Sequence, residues 1–399
     1  MAVIEIPELL LPKPNIDLHK WACIACDQFT SEIEYWNALQ QLVDNVPSTY
    51  RLILPEAYLE MPFETRIKAI NENMDLYLRS NIFTGLKGIV LVDRKTPMNP
   101  QRTGLMVLID LDSYEYIEGR RGKIIASEKT VPERIPPRVK IRENAKLELP
   151  HVLVLIDDKE GIINEIHRKR NNYSIIYDFE LNMNGGHVTG YHIKDCEQLI
   201  SRLSDAVLKT PLIVGDGNHS VAAAKVCWEK IKETLSPEEQ ALHPARYTLV
   251  ELISIYDKGL AFEPIHRIIY DAEDDFVDEM NRVSYGSGAL KIIHGKNEEF
   301  IPAPDSPFET IKWVQKFLDD YLENHPETTI DYVHGMTSLK SIIKQKKNAV
   351  GIVMPPLARD QLFPYVMNQG VLPRKAFSLG EAIEKRYYLE ARIITNERR

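Results

Sequence analysis

Short runs of β-branched and aliphatic residues recur along the chain and alternate with stretches of helical period, a pattern that admits few folds. The runs lie at Gly88 to Val92, Leu105 to Leu111, Val152 to Ile156, Tyr173 to Tyr177, Leu212 to Val214, Leu249 to Ile255 and Val350 to Met354, each of strand length and composition. Between them Val221, Ala224, Trp228, Ile231 and Leu235 fall three or four apart, as do Phe308, Ile311, Val314, Phe317 and Tyr321. Each set places an apolar stripe on one face of a helix. The expected class is α/β (α+β). Asn184-Gly185-Gly186-His187 reads as a hairpin turn between flanking strands and is assigned no chemistry.

A chain of 399 residues exceeds one ordinary compact domain. The acidic stretch Asp271 to Asp275 follows a strand ending at Tyr270, and three prolines between Ile301 and Pro307 precede a new helix. We therefore expect a core domain over 1–270 and a smaller C-terminal α/β domain over 271–399. No repeat period marks a solenoid.

Charge and apolar content restrict the function classes. A net charge of -9 disfavours nucleic acid as a partner, because such binding displaces counterions with excess Lys and Arg. One stretch departs from this balance: Arg120 to Lys146 holds nine Lys or Arg against three Glu. No apolar run approaches a membrane-spanning length, and the N-terminus, with Glu5 and Glu8, does not resemble a secretory signal. A cytoplasmic protein without a membrane role is expected. Four cysteines, Cys23, Cys26, Cys196 and Cys227, are too few for a disulfide framework. Cys23 and Cys26 form an isolated Cys-x-x-Cys, read as a pair of small buried residues rather than half a zinc site.

The chemistry-bearing segment is Thr210 to Ala224. Thr210-Pro211-Leu212-Ile213-Val214 reads as a buried strand, Gly215-Asp216-Gly217-Asn218 as a tight turn, and Ser220 onward as an amphipathic helix. Glycines let a ligand approach the backbone, and the first turn of a helix leaves amides without internal acceptors at the positive end of its dipole. Such a mouth attracts phosphate or carboxylate. Asp216 and His219 add a proton acceptor, a metal ligand or an orienting group beside it. An acidic side chain next to an anion calls for a cation, which makes Mg²⁺ on Asp216 the companion of a nucleotide ligand. In the plainer alternative, Asp216 or Asn218 caps the helix and His219 packs against a neighbour.

Gly215-Asp216-Gly217-Asn218-His219-Ser220 with Val221-Ala222-Ala223-Ala224 is similar to the Asp-Gly-His-His-Arg turn and Ala-rich helix of the prokaryotic domain of unknown function numbered one thousand and fifteen. Ser127-Glu128-Lys129-Thr130 with Arg138, Gly259-Leu260, Pro264-Ile265-His266-Arg267 and Leu372-Pro373-Arg374-Lys375 resemble further segments of that family in the same order. Its turn in turn resembles that of the ParB, sulfiredoxin and free-serine-kinase superfamily, whose members share phosphate at this place.

The resemblance implies a ParB/sulfiredoxin-like mixed-sheet core and a nucleotide- or phosphate-binding small-molecule enzyme, with a free-serine-kinase-like phosphotransferase as its most specific form. It implies Mg²⁺ with ATP, ADP or CTP as cofactor, a small anionic ligand as partner, and allows a homodimer. Asp216, His219 and Glu128 are its catalytic candidates. Gly215, Gly217, Asn218, Ser220, Lys129, Thr130, Arg138, His266 and Arg267 are its ligand-binding candidates. Asn218 stands where the first His is usual and Ser220 where Arg is usual, and losing that Arg removes a fork-shaped phosphate clamp. A ParB-like nucleotide-switched binding protein and a non-catalytic metabolite-binding remnant are the competing readings.

Overall fold

The computed structural model describes residues 2–24, 29, 32–58, 64–117, 119–120, 122–130, 132–346 and 348–396. They form two compact units, Met1–Leu260 with Ala382–Arg399, and Ala261–Glu381. The first unit is built on a mixed sheet in the order Ser174–Glu180, His187–Ile193, Ile89–Lys95, Arg102–Asp110, Tyr247–Ser254, Leu153–Ile156, Leu212–Asp216, Ile124–Ala126 and Tyr114–Glu115. Ile4–Glu5 pairs alongside Arg102–Asp110.

Arg102–Asp110 is buried along its whole length, as a central strand covered on both faces must be. Leu105, Val107 and Ile109 join an apolar cluster with Val154, Val214 and Trp228, whereas Met106 and Leu108 join another with Trp21, Tyr177 and Leu249. Alternate residues of a pleated strand point to opposite faces, so one sequence run supplies both cores. The expected strands are all present, and the two stripes are helices: Asn218–Lys232 buries Val221, Ala224 and Trp228, and Pro307–Asn324 buries Phe308, Ile311, Val314 and Tyr321.

The domain boundary lies elsewhere than at 270/271. Phe262–Tyr270 belongs to the second unit, where it pairs with Thr329–His334, Val350–Val353 and Phe377–Leu379. The acidic stretch after Tyr270 is a turn inside that unit, not a linker. The last stretch of chain returns to the first unit. Arg392–Ile393 pairs with Leu147–Glu148, and buried Arg386 lies 2.9 Å from Glu251 and 2.6 Å from Glu390. Among the described residues no helix is long and apolar enough to cross a membrane.

Candidate functional site

Leu212–Asp216 runs antiparallel to Leu153–Ile156 and parallel to Ile124–Ala126, with its register shifting between Val214 and Asp216. Gly217 follows at φ +85°, and a Cβ there would lie 2.9 Å from Val152 Cγ2. Backbone conformation and space both demand glycine. The Asn218–Lys232 helix then begins with no side-chain cap. The Ser220 and Val221 amides donate to the Gly217 carbonyl at 3.0 and 3.1 Å, so the Asn218 amide, at the first helical position, has no acceptor inside the helix.

The capping role open to Asp216 and Asn218 is not taken by either. Asp216 Oδ1 accepts from the Gly217 amide at 3.0 Å, and Asn218 Nδ2 donates to Ser127 Oγ at 3.2 Å. The buried Asn218 Oδ1 has no hydrogen-bond partner among the described residues, nor has Thr130 Oγ1. His219 and Ser220 are half-buried.

The sheet register brings a second expected segment to the turn. Val214 pairs with Ala126, and the Ser127 amide donates to the Val214 carbonyl at 3.2 Å. The following residues, half-buried Glu128, exposed Lys129 and buried Thr130, therefore leave the sheet at the same end as Gly217. Arg138 comes from the Ile135–Arg142 helix, which packs through Val139 on Ala223 and Cys227. With Ser220, Arg138 lines a cavity of about 150 Å³ that also touches Arg142, Glu148, His151 and Tyr388.

Three participants carry no local signal in the sequence. Lys385, with a side chain only 9% exposed, places Nζ 3.1 Å from Asp216 Oδ2. His151 Nδ1 lies 2.8 Å from the Tyr388 hydroxyl and its Nε2 3.5 Å from Ser220 Oγ, the latter long for a hydrogen bond. Lys385 and Tyr388 lie in the returning tail, far from the turn in sequence, and no local periodicity announces them.

Other expected residues are engaged elsewhere. Arg267 is fully buried in the second unit, donating to the Ile265 and Lys375 carbonyls at 2.6 and 2.9 Å and lying over the Tyr332 ring. His266 Nδ1 accepts from the Met354 amide at 3.2 Å. Both have evident structural roles there. Within the basic stretch, Arg142 lies 2.7 Å from Glu148 and Lys146 lies 3.1 Å from Asp75, while Arg121 lies outside the described residues. Cys26 does too, and buried Cys23 sits beside Thr49 Oγ1 at 3.1 Å with its thiol pushed up to about 12 by burial. Among the described residues no three His, Cys, Asp or Glu side chains converge to hold a metal ion. Asp216, facing Lys385, does not by itself make a resident Mg²⁺ site.

A mixed α/β core, a strand-to-helix turn without a side-chain cap and a lysine paired with Asp216 beside it define the class, an α/β protein. The chain belongs to the family described as Protein of unknown function (DUF1015), whose model matches residues 10–349. No curated protein matches the chain at a significant level.

Among solved structures, a free serine kinase variant in complex with ADP is similar at 10% identity and a TM-score of 0.41, over 73% of this chain and 92% of that one. SbnI with a C-terminal truncation from Staphylococcus aureus is similar at 10% identity and a TM-score of 0.38, over 74% and 84%. A conserved hypothetical protein from Pyrococcus furiosus is similar at 11% identity and a TM-score of 0.37, over 71% and 90%.

Proposed function

We propose that the chain binds the phosphate of a small anionic molecule at the mouth of the Asn218–Lys232 helix. The observation that carries this reading is Lys385. A cation at a helix N-terminus is electrostatically disfavoured, yet Lys385 is largely buried there and offset by Asp216. An anion entering the mouth meets the Asn218 amide, the backbone of the Gly215 to Gly217 turn and this ammonium group. Lys129, Thr130 and Arg138 add donors from the neighbouring loop and helix.

The finer reading is a nucleotide-dependent phosphotransferase using Mg²⁺ with ATP, ADP or CTP. In it Glu128 accepts the proton of the group that attacks, His219 orients the substrate, and Asp216 holds Lys385 and the Gly217 amide in place. When bound with the nucleotide, Mg²⁺ supplies charge neutralisation between phosphate oxygens and carboxylate. The missing Arg at Ser220 favours a second reading, a metabolite-binding protein without turnover.

Thermal-shift measurements with ATP, ADP, CTP and pyrophosphate, each with and without Mg²⁺, test the proposal, since a ligand bound only by the folded state raises its stability. A rise that Lys385→Ala abolishes supports the phosphate site. No rise with any of the compounds removes it, and binding without product formation selects the second reading.

A further inference from the structure

Beside the turn, the first unit contains a gap between an apolar cluster and two helices. Leu52, Met74, Ala145 and Leu147 belong to the cluster that includes Trp21 and Tyr77, and half-buried Leu54 packs against it. Ser220 and Ala223 come from the Asn218–Lys232 helix, and Arg138 and Ile141 from the Ile135–Arg142 helix. All of these residues line the cavity of about 150 Å³. Val152 lines it too, and a Cβ at Gly217 would lie 2.9 Å from that side chain, so the cavity lies directly against the turn.

Such a void is costly unless filled. Protein interiors are close-packed, and apolar side chains that face empty space forgo the contacts that stabilise them. A cavity of about 150 Å³ walled by aliphatic chains takes a molecule the size of benzene. Sites that enclose larger ligands run to roughly 300 to 1,000 Å³. The group that fits is a single ring or a short branched chain, and a nucleotide held at the turn would keep its base outside.

The polar part of the wall is positive on balance. Glu148 is the carboxylate in it, and Arg142 and Arg392 each lie 2.7 Å from that side chain. Arg138 adds another guanidinium, its Nη1 donating to the Arg134 carbonyl at 2.8 Å. A cation is disfavoured in such a place and an anion favoured. Apolar space and positive charge together select an organic anion.

We propose that the ligand of the turn is a small organic phosphate whose organic group, a single ring or a short branched chain, enters this cavity against Leu54, Met74 and Ile141. The proposal rests on the phosphate-binding reading of the turn and adds the class of compound that carries the phosphate.

Calorimetric titration of the full chain with methyl, phenyl and naphthyl phosphate, beside pyrophosphate, tests it. Phenyl phosphate should bind about tenfold or more tightly than methyl phosphate, because its ring leaves water. Naphthyl phosphate should lose most of that gain, since its second ring exceeds the space. Leu54→Trp fills the cavity from a half-buried position and should bring phenyl phosphate down to the level of methyl phosphate. Equal affinities for methyl and phenyl phosphate, with pyrophosphate still bound, overturn this proposal and leave the phosphate site standing. Naphthyl phosphate binding more tightly than phenyl phosphate marks an open apolar surface and overturns it as well, as does a phenyl advantage that survives Leu54→Trp. If none of these compounds binds, the phosphate reading falls and this proposal with it. If Leu54→Trp does not fold, the methyl, phenyl and naphthyl series decides alone.

Discussion

Lys385 Nζ lies 3.1 Å from Asp216 Oδ2, tying the returning tail of the chain to the mouth of the Asn218–Lys232 helix. The pair brings a lysine to a place where a helix dipole opposes it, and two substitutions have opposite consequences there. Lys385→Ala leaves Asp216 without this cation and weakens pyrophosphate binding about tenfold or more. Asp216→Asn removes the negative charge nearest the mouth and strengthens Mg²⁺-free pyrophosphate binding by about threefold. Calorimetry on both variants checks the signs. Equal losses in the two would mean that the pair acts only as a structural tie.

Gly217 and Gly161 separate two costs that glycines at helix starts combine. Both have positive φ, +85° and +67°, but a Cβ at Gly217 meets Val152 whereas one at Gly161 meets nothing within 4 Å. Gly161→Ala should cost about 1 kcal/mol from conformation alone. Gly217→Ala should cost about 2 to 4 kcal/mol because Val152 must also shift. Urea unfolding of the two variants provides the comparison.

These contrasts bear on what the sequence can disclose. The hairpin at Asn184 to His187 was legible because its requirement is local: Met183, Asn184 and Gly186 all take positive φ, and Ser174–Glu180 pairs with His187–Ile193 on either side. The strand-turn-helix at Gly217 was legible for the same reason. Lys385, His151 and Tyr388 were not, since each reaches the turn through tertiary contacts that leave no period in the sequence. The sequence alone places the tail in a C-terminal domain, because Glu251, the distant partner of Arg386, cannot be recognised by spacing. Asp271 to Asp275 resembled a linker for a related reason: an acidic surface turn and an interdomain segment have the same composition.

Arg386 is the firmest anchor of that tail. It lies between Glu251 and Glu390, and Glu390 also accepts from the Tyr177 hydroxyl at 2.6 Å. Arg386→Met leaves two buried carboxylates facing each other without their shared cation, a loss of about 3 to 5 kcal/mol. Chemical denaturation measures it. A change below about 1 kcal/mol would falsify the view that the tail is integral to the first unit.

Glu148 gives the tail a pH dependence. Burial alone raises its carboxyl, but Arg392, Arg142 and the Leu249 amide together hold it below the usual carboxylate range. A carboxyl depressed in the folded state contributes stability above its unfolded value, and that stability is lost as pH falls through the folded value. Glu148→Gln should therefore cost most near neutral pH, with the gap from the parent chain narrowing below the ordinary glutamate value of about 4.3. Urea midpoints across that range supply the test, and a gap that widens in acid contradicts the assignment.

Ser220 occupies the position at which the resembling family carries Arg, and it lines the 150 Å³ cavity together with Arg138, Arg142 and His151. Ser220→Arg places a guanidinium in that space. Without a ligand it faces Arg138 and Arg142, and like charges in a partly enclosed space lower stability. With phosphate present, the same guanidinium gains a bidentate partner and its neighbours help to neutralise the anion. The variant should unfold at lower temperature than the parent when alone, yet bind pyrophosphate about tenfold more tightly. A thermal scan and a titration on one preparation read both effects. Tighter binding without the thermal penalty would place the new side chain outside the cavity, and a penalty without tighter binding would separate the cavity from the phosphate site.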